Sequence, residues 1–180
     1  MSNTASACPA GLTKPWNGDL VVYAHGYVPF YAEVGIPESQ MSLPGSPYTV
    51  DQIVNFLGYA FATTSYYTNG LAVRPAISDL LDLVDIFVDE HGAPGITLLT
   101  GVSEGGLITT LAVENHPDVF DGGLAMCGPG GFNRQVSHYG DFRVIFDYFF
   151  PGLMPGEPIT IPTSLIETWE RVTTAKPSSR

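Results

Sequence analysis

Residues 96–106 read ITLLTGVSEGG, and this stretch carries most of what the sequence says about the fold. Its first five residues form a short, continuous apolar run, which indicates a buried strand. The next five, GVSEG, match the pattern G-x-S-x-G, and apolar residues at helical spacing follow from Leu107. The stretch therefore predicts a strand, a tight turn that carries a serine, and a helix, in this order.

The flanking sequence continues the alternation of strand and helix. Apolar runs at 19–24, 59–63 and 123–127 predict three more strands. Helical spacing of apolar residues predicts helices over 49–57 and 74–91. Strands that alternate with helices form a parallel sheet with helices on its faces and right-handed crossovers. We therefore expect an α/β fold with a sheet of about four strands.

Composition excludes several classes of function. The 180 residues carry a formal net charge of −11, which argues against nucleic-acid binding. No apolar stretch approaches the roughly 20 residues of a membrane helix, so we predict no membrane span. The sequence has no metal-ligand spacing, P-loop or dinucleotide fingerprint, so no metal and no cofactor are expected. Cys8 and Cys127 form either one bridge or two buried free thiols.

The first twelve residues have neither a charged front nor an apolar run. We interpret them as lacking a signal peptide, or as what remains after its removal. This interpretation favours a secreted protein over a cytoplasmic one.

The G-x-S-x-G pattern points to nucleophilic chemistry at Ser103. A serine in a strained strand-to-helix turn presents its hydroxyl above the carboxyl edge of the sheet, and the glycines leave room for that turn. The amino terminus of the following helix favours a developing negative charge there. The alternative is a glycine-rich turn whose exposed serine has no catalytic role. The strand before the motif and the helix after it favour the nucleophile.

A second motif supports this interpretation. Acyl transfer requires two backbone N–H groups that bind the tetrahedral oxygen. The residue after the nucleophile, Glu104, would supply one. His25 and Gly26 follow the first predicted strand, so Tyr27 would supply the other.

These segments resemble the α/β-hydrolase family in chain order. The resemblance rests on the stretches VVYAHGY, YAFATTSYYTNG, SDLLDLVDIF, TLLTGVSEGG and GLAMCGPGG. It is most similar to bacterial esterases and lipases whose oxyanion loop begins His-Gly, and it covers residues 19–131, the third to sixth of the family's eight strands. The resemblance implies a strand order of 4-3-5-6 in family numbering. It also implies cleavage of a small-molecule carboxylic ester through an acyl-enzyme on Ser103, without a cofactor.

The sequence departs from the family after the sixth strand. The family's acid and histidine follow later strands that have no counterpart here, so the predicted sheet is truncated. Residues 142–153 resemble the start of the cap domain that many members insert at this point. We therefore divide the chain into a partial hydrolase core over 1–131 and a helical, cap-like segment over 132–180.

Four histidines are candidates for the missing base. His91 and His116 end helices that run away from the active edge, which excludes them. His25 lies near that edge, where the family uses it to shape the oxyanion loop. His138, with Asp141 three residues later, would reach the edge, although a histidine in a surface loop is the simpler interpretation.

The predicted sheet edge at 123–127 and the aromatic run at 142–150 would both need cover. We expect the chain to self-associate or to pair with a second chain that carries the missing half. The main alternative to an esterase is a catalytically incomplete remnant that acts in binding or assembly. Peptidase or thioesterase chemistry on the same fold is a third possibility.

Overall fold

The computed structural model describes residues 14–43 and 45–153. They fall into two compact units, which are divided between Gly130 and Gly131. The first unit holds a sheet with its helices, and the described part of the second holds a helix. Cys8 and the part of the predicted cap-like segment that follows residue 153 lie outside the described residues.

Strands and helices alternate along the first unit, as the sequence predicts. The strands are β1 (Leu20–Ala24), β2 (Ala60–Thr63), β3 (Thr97–Val102) and β4 (Gly122–Met126). The α-helices of this unit are α1 (Val50–Leu57), α2 (Val73–His91) and α3 (Glu104–Asn115), and a short 3-10 helix covers Glu38–Met41. The second unit contains α4 (Phe132–Phe149).

The four strands form one parallel sheet in the order β2-β1-β3-β4. Val22 in the central strand β1 pairs with Ala62 on one side and with Leu99 on the other. The order is the 4-3-5-6 arrangement that the resemblance implied. The fold is therefore α/β-hydrolase-like, with four parallel strands and flanking helices, and that prediction is confirmed.

The core lies between the sheet and its helices. Every residue of β1 is buried, because helices and strands surround it on all sides. Fully buried side chains from β1, β3 and the helices pack together, among them Leu20, Val22, Leu80, Leu99 and Ile108. The core fixes β1 and β3 side by side, so their carboxyl ends meet at one edge of the sheet.

Helix α1 shows how local sequence sets the element boundaries. Thr49 and Gln52 form a capping box at its amino terminus. Gly58 ends the helix with a φ of 97°, a left-handed conformation that glycine adopts without steric strain. The predicted end of this helix at Gly58 is confirmed.

Two predictions from the sequence were wrong, the end of β3 and the local structure at His138. The strand predicted over 96–100 runs to Val102, because Gly101 and Val102 continue the pairing with β4. The tight turn is thereby reduced to Ser103 and its neighbours. His138 was interpreted as a loop residue, but it lies within α4 and is exposed there.

Candidate active site

Ser103 occupies the turn between β3 and α3. Its φ of 59° and ψ of −121° are unusual for a residue with a side chain, and such backbone conformations concentrate at functional sites. Its N–H donates a 2.9 Å hydrogen bond to the carbonyl of Met126 at the end of β4. The side chain is exposed, and its hydroxyl makes no hydrogen bond within the described residues. The turn thus presents a free hydroxyl at the carboxyl edge of the sheet.

The two motif glycines are required by close packing around this turn. A Cβ on Gly101 would overlap the carbonyl of Gly105 and lie 2.7 Å from Thr109 Oγ1. A Cβ on Gly105 would overlap the carbonyl of Ala24 and lie 2.7 Å from the His25 oxygen. The predicted crowding is confirmed, and it brings the start of α3 against the end of β1.

The structure brings the His-Gly turn to Ser103. A Cβ on Gly26 would lie 3.5 Å from Ser103 Cβ and 3.2 Å from the Val102 carbonyl oxygen. The N–H groups of Tyr27 and Glu104 make no hydrogen bond with any described residue. The three residues predicted for the site, Tyr27, Ser103 and Glu104, therefore lie on two adjacent turns. The N–H groups of Tyr27 and Glu104, which are the two predicted donors, have no acceptor among the described residues.

Gln40 is a residue of this region that the sequence analysis missed. Its side-chain oxygen accepts a 2.7 Å hydrogen bond from the Gly26 N–H, and its Nε2 donates one of 3.1 Å to the Tyr27 carbonyl. Gln40 lies on the short 3-10 helix within the long loop between β1 and α1. No local pattern marks it, because its role depends on how that loop returns to β1.

His25 is buried, with 3% of its surface exposed. Its ring stacks on Tyr66 at 3.8 Å between centroids, and Nδ1 lies 2.7 Å from the Gly26 carbonyl oxygen. A carbonyl only accepts, so Nδ1 is assigned the proton. Burial lowers the pKa of His25, and the carbonyls of Gly26 and Ser65 partly offset this effect. The ring is thus a neutral group that supports the turn.

The His25 Nε2 atom has no hydrogen-bond partner of acceptable geometry among the described residues. No hydrogen bond joins His25 to Ser103 in this part of the chain. These contacts agree with the structural interpretation of His25 rather than with its use as the base.

Glu104 combines a backbone N–H that has no hydrogen-bond acceptor among the described residues with a buried side chain. Only 6% of its surface is exposed, and Oε1 accepts a 2.7 Å hydrogen bond from the Ala72 N–H at the start of α2. Burial raises the pKa of the Glu104 carboxyl, and the Ala72 N–H partly opposes this. Tyr66 lies close by, and its own pKa is raised well above 10 by burial and by the Glu104 charge.

Of the remaining histidines, His91 and His116 lie at the ends of helices, as predicted. His91 is the last residue of α2, and its Nε2 is 3.7 Å from the Glu90 carboxylate. His116 caps the carboxyl end of α3. His138 and Asp141 are exposed residues of α4, which belongs to the second unit. No histidine is hydrogen-bonded to the Ser103 hydroxyl within residues 14–43 and 45–153.

A surface pocket opens beside Tyr66. One wall is the loop after β2, where the Tyr67 N–H donates a 2.6 Å hydrogen bond to the Asp79 carboxylate. The lining combines hydroxyl, carboxylate and aliphatic groups: Val34, Thr64, Ser65, Tyr66, Tyr67, Asp79, Asp82, Leu83 and Ile86. Two carboxylates in the wall disfavour an anionic ligand.

Three further observations bear on ligands and redox state. Across the described residues, no helix is long and apolar enough to cross a membrane. The same residues contain no group of three metal-ligating side chains that could hold an ion. Cys127 carries a free thiol and is exposed, so the expectation that it is buried was wrong.

No protein-family model matches the sequence, and no curated protein matches it. Sixteen solved chains match this one, and two of them show the extent of the likeness. One comes from the description of LipS and LipT, two metagenome-derived lipolytic enzymes, with 20% identity and a TM-score of 0.35. That match covers 65% of this chain, which spans 46% of the other chain's length. The second is alpha/beta hydrolase domain-containing protein 10 from mouse, with 18% identity and a TM-score of 0.42. It covers 95% of this chain and 70% of the mouse chain.

Proposed function

We propose that this chain is a serine hydrolase that cleaves carboxylic esters through an acyl-enzyme on Ser103. The observation that carries the proposal is the Ser103 turn, which combines a strained backbone with an exposed, unbonded hydroxyl. A structural serine at a helix amino terminus would ordinarily cap the helix with its side chain, and Ser103 does not. A hydroxyl held out of the cap is available for attack.

In this mechanism, Ser103 Oγ attacks the ester carbonyl carbon and its proton passes to a general base. The tetrahedral oxygen accepts hydrogen bonds from the N–H groups of Tyr27 and Glu104, and the amino terminus of α3 adds its partial positive charge. Collapse of the intermediate expels the alcohol, and water then releases the acid. Each oxyanion donor would contribute roughly 10²–10³ in rate.

Within the described residues, no histidine or carboxylate that could act as the base or the acid of a triad is hydrogen-bonded to the Ser103 hydroxyl. We therefore propose that the base and the acid come from outside this part of the chain, from a second polypeptide, or from His138 with Asp141. The alternative function is a catalytically incomplete hydrolase that serves in binding or assembly, or as half of a two-chain enzyme. The exposed outer strand β4 favours this alternative, because Leu124 at its centre is 60% exposed.

A fluorophosphonate probe separates the two functions, since it requires an activated serine but no particular substrate. The purified chain is treated with the probe beside Ser103→Ala, and the intact mass is measured. One adduct on the wild type and none on the variant would support the hydrolase. His138→Ala and His25→Ala would then identify the base, with loss of labelling expected only for the residue that acts.

No adduct on either protein would contradict the hydrolase and favour the incomplete module. Slow turnover of an activated ester would not by itself count for a complete triad. The oxyanion hole and binding alone retain roughly 10³–10⁴-fold catalysis over water when a triad member is lost.

A further inference from the structure

We propose that Gln40 is a positioning residue that holds the oxyanion loop, residues 25–27, beside Ser103. This inference rests on the proposed function, because it concerns how the Tyr27 N–H is oriented. It adds a residue from a distant loop to the site.

The Gln40 amide bridges the peptide group that contains the proposed donor. It binds the Gly26 N–H at 2.7 Å and the Tyr27 carbonyl at 3.1 Å, and the Tyr27 N–H lies between these two groups along the chain. The orientation of the amide is fixed, since the reverse assignment would set donor against donor and acceptor against acceptor. Gln40 therefore constrains the backbone on both sides of the Gly26–Tyr27 peptide.

His25 constrains the same peptide from its carbonyl side. Its Nδ1 lies 2.7 Å from the Gly26 oxygen. The described chain has no cis peptide bond, so the Tyr27 N–H points away from that oxygen. With the carbonyl bound on one side and the flanking groups bound by Gln40, the direction of the Tyr27 N–H is set before any substrate arrives.

Gln40 is itself anchored to the centre of the sheet. The hydroxyl of Tyr23, a buried residue of β1, donates a 3.0 Å hydrogen bond to the Gln40 carbonyl. The two hydrogen bonds between Gln40 and residues 26–27 also lie next to Ser103. A Cβ on Gly26 would be 3.0 Å from Gln40 Oε1 and 3.5 Å from Ser103 Cβ. The long loop after β1 thus returns a polar side chain to the site along a fixed path.

The first arm of the test measures the loop without requiring activity. The protein is labelled with ¹⁵N-glycine, and hydrogen exchange of the Gly26 amide is followed in wild type, Gln40→Met and Ser39→Ala. Met is similar in length to Gln but neither accepts nor donates strongly, and Ser39 is an exposed neighbour on the same 3-10 helix. The Gly95 amide, which donates to the Gly18 carbonyl at 2.8 Å, serves as the internal reference.

We expect Gly26 exchange to accelerate at least tenfold in Gln40→Met relative to Gly95, and to stay unchanged in Ser39→Ala. The second arm measures the rate of fluorophosphonate labelling of Ser103, and kcat and KM for an ester that the wild type turns over. Gln40→Met should lower the labelling rate and kcat at least tenfold and change KM less than threefold. Removal of one oxyanion donor lowers the rate by roughly 10²–10³-fold, and a misaligned donor loses part of this contribution.

Unchanged Gly26 exchange in Gln40→Met would overturn the proposal, as would faster exchange with an unchanged labelling rate. A wild type that takes no label would contradict the proposed function instead. In that case the Gly26 exchange still decides whether Gln40 holds the loop.

Discussion

The Glu104 carboxylate accepts a 2.7 Å hydrogen bond from the N–H of Ala72, which precedes helix α2. The backbone of the same glutamate begins α3 directly after the Ser103 turn. One residue thus joins the amino ends of two helices. The stability of α2 at its start and the geometry of the turn are therefore coupled.

Replacing Glu104 by Leu removes the acceptor of a buried N–H. The Ala72 N–H would retain only its bond to the Gly70 carbonyl at 2.9 Å. We expect Glu104→Leu to lower the free energy of unfolding by about 1–3 kcal/mol, and Glu104→Gln to lower it less because an amide oxygen still accepts. Urea unfolding measures both. Equal stability of Glu104→Leu and the wild type would mean that the bond contributes nothing.

The raised pKa of Glu104 predicts a dependence of stability on pH. The folded protein holds this proton more tightly than the unfolded chain, whose carboxyl titrates near 4.5. The stability that Glu104 contributes is therefore fully present below pH 4.5 and is lost as the pH rises through the raised pKa. Glu104→Gln lacks this titration, so the wild type should lose stability relative to the variant between pH 4.5 and 7. A constant difference over that range would contradict the shift.

The unusual backbone conformation of Ser103 predicts a difference in stability between two variants of this residue. Glycine adopts a φ of 59° without the steric strain of a side chain, while alanine keeps that strain. We expect the free energy of unfolding of Ser103→Gly to exceed that of Ser103→Ala by about 1 kcal/mol. This difference already includes the greater conformational entropy of glycine in the unfolded chain, which favours alanine. Denaturant midpoints compare the two variants. Ser103→Ala as the more stable variant would count against strain at the turn.

The packing around Gly105 predicts a large penalty for a single methyl group. Gly105→Ala would drive its Cβ into the carbonyls of Ala24 and His25. We expect a loss of about 3 kcal/mol or more, at the upper end for overpacked sites. Gly35→Ala is the matched control, since its Cβ would meet nothing within 4 Å. Thermal unfolding of the two variants should separate them, and similar midpoints would refute the crowding.

The outer strand β4 predicts self-association or pairing with a second chain. A strand edge offers unpaired backbone groups, and lysine on such a strand opposes pairing. We expect the wild type to sediment as an associated species at micromolar concentration and Leu124→Lys to shift it toward the monomer. Leu57→Lys places the same charge on an exposed leucine at the end of α1. A sharp wild-type monomer would contradict the prediction.

The sequence predicted the sheet and the turn at Ser103 because both show in local patterns. Apolar runs identify β1 to β4, and the crowding at Gly101 comes from Gly105 and Thr109, which lie within a few residues of the turn. The end of β3 was predicted too early because Gly101 is a poor strand former, which stays extended through its pairing with Ala24 and Ala125. That pairing is a property of the assembled sheet.

The supporting contacts of the site were beyond prediction from sequence. Gln40 reaches Gly26 across 14 residues of irregular loop, and Glu104 reaches Ala72 across 32 residues. Tyr66 stacks on His25 from the neighbouring strand's loop. No periodicity encodes these distances, since each depends on where two separate segments end in space.

The hydrogen bond from the Ser103 N–H to Met126 ties the serine turn to β4, an edge strand of the described sheet whose three central residues are exposed. Edge strands open by local fluctuations at a lower free energy than the sheet interior. When β4 frays at its carboxyl end, the serine turn loses one of the bonds that hold its unusual backbone. The lifetime of this backbone conformation at Ser103 is therefore limited by an exposed edge strand of the sheet, and any partner that binds that edge would lengthen it.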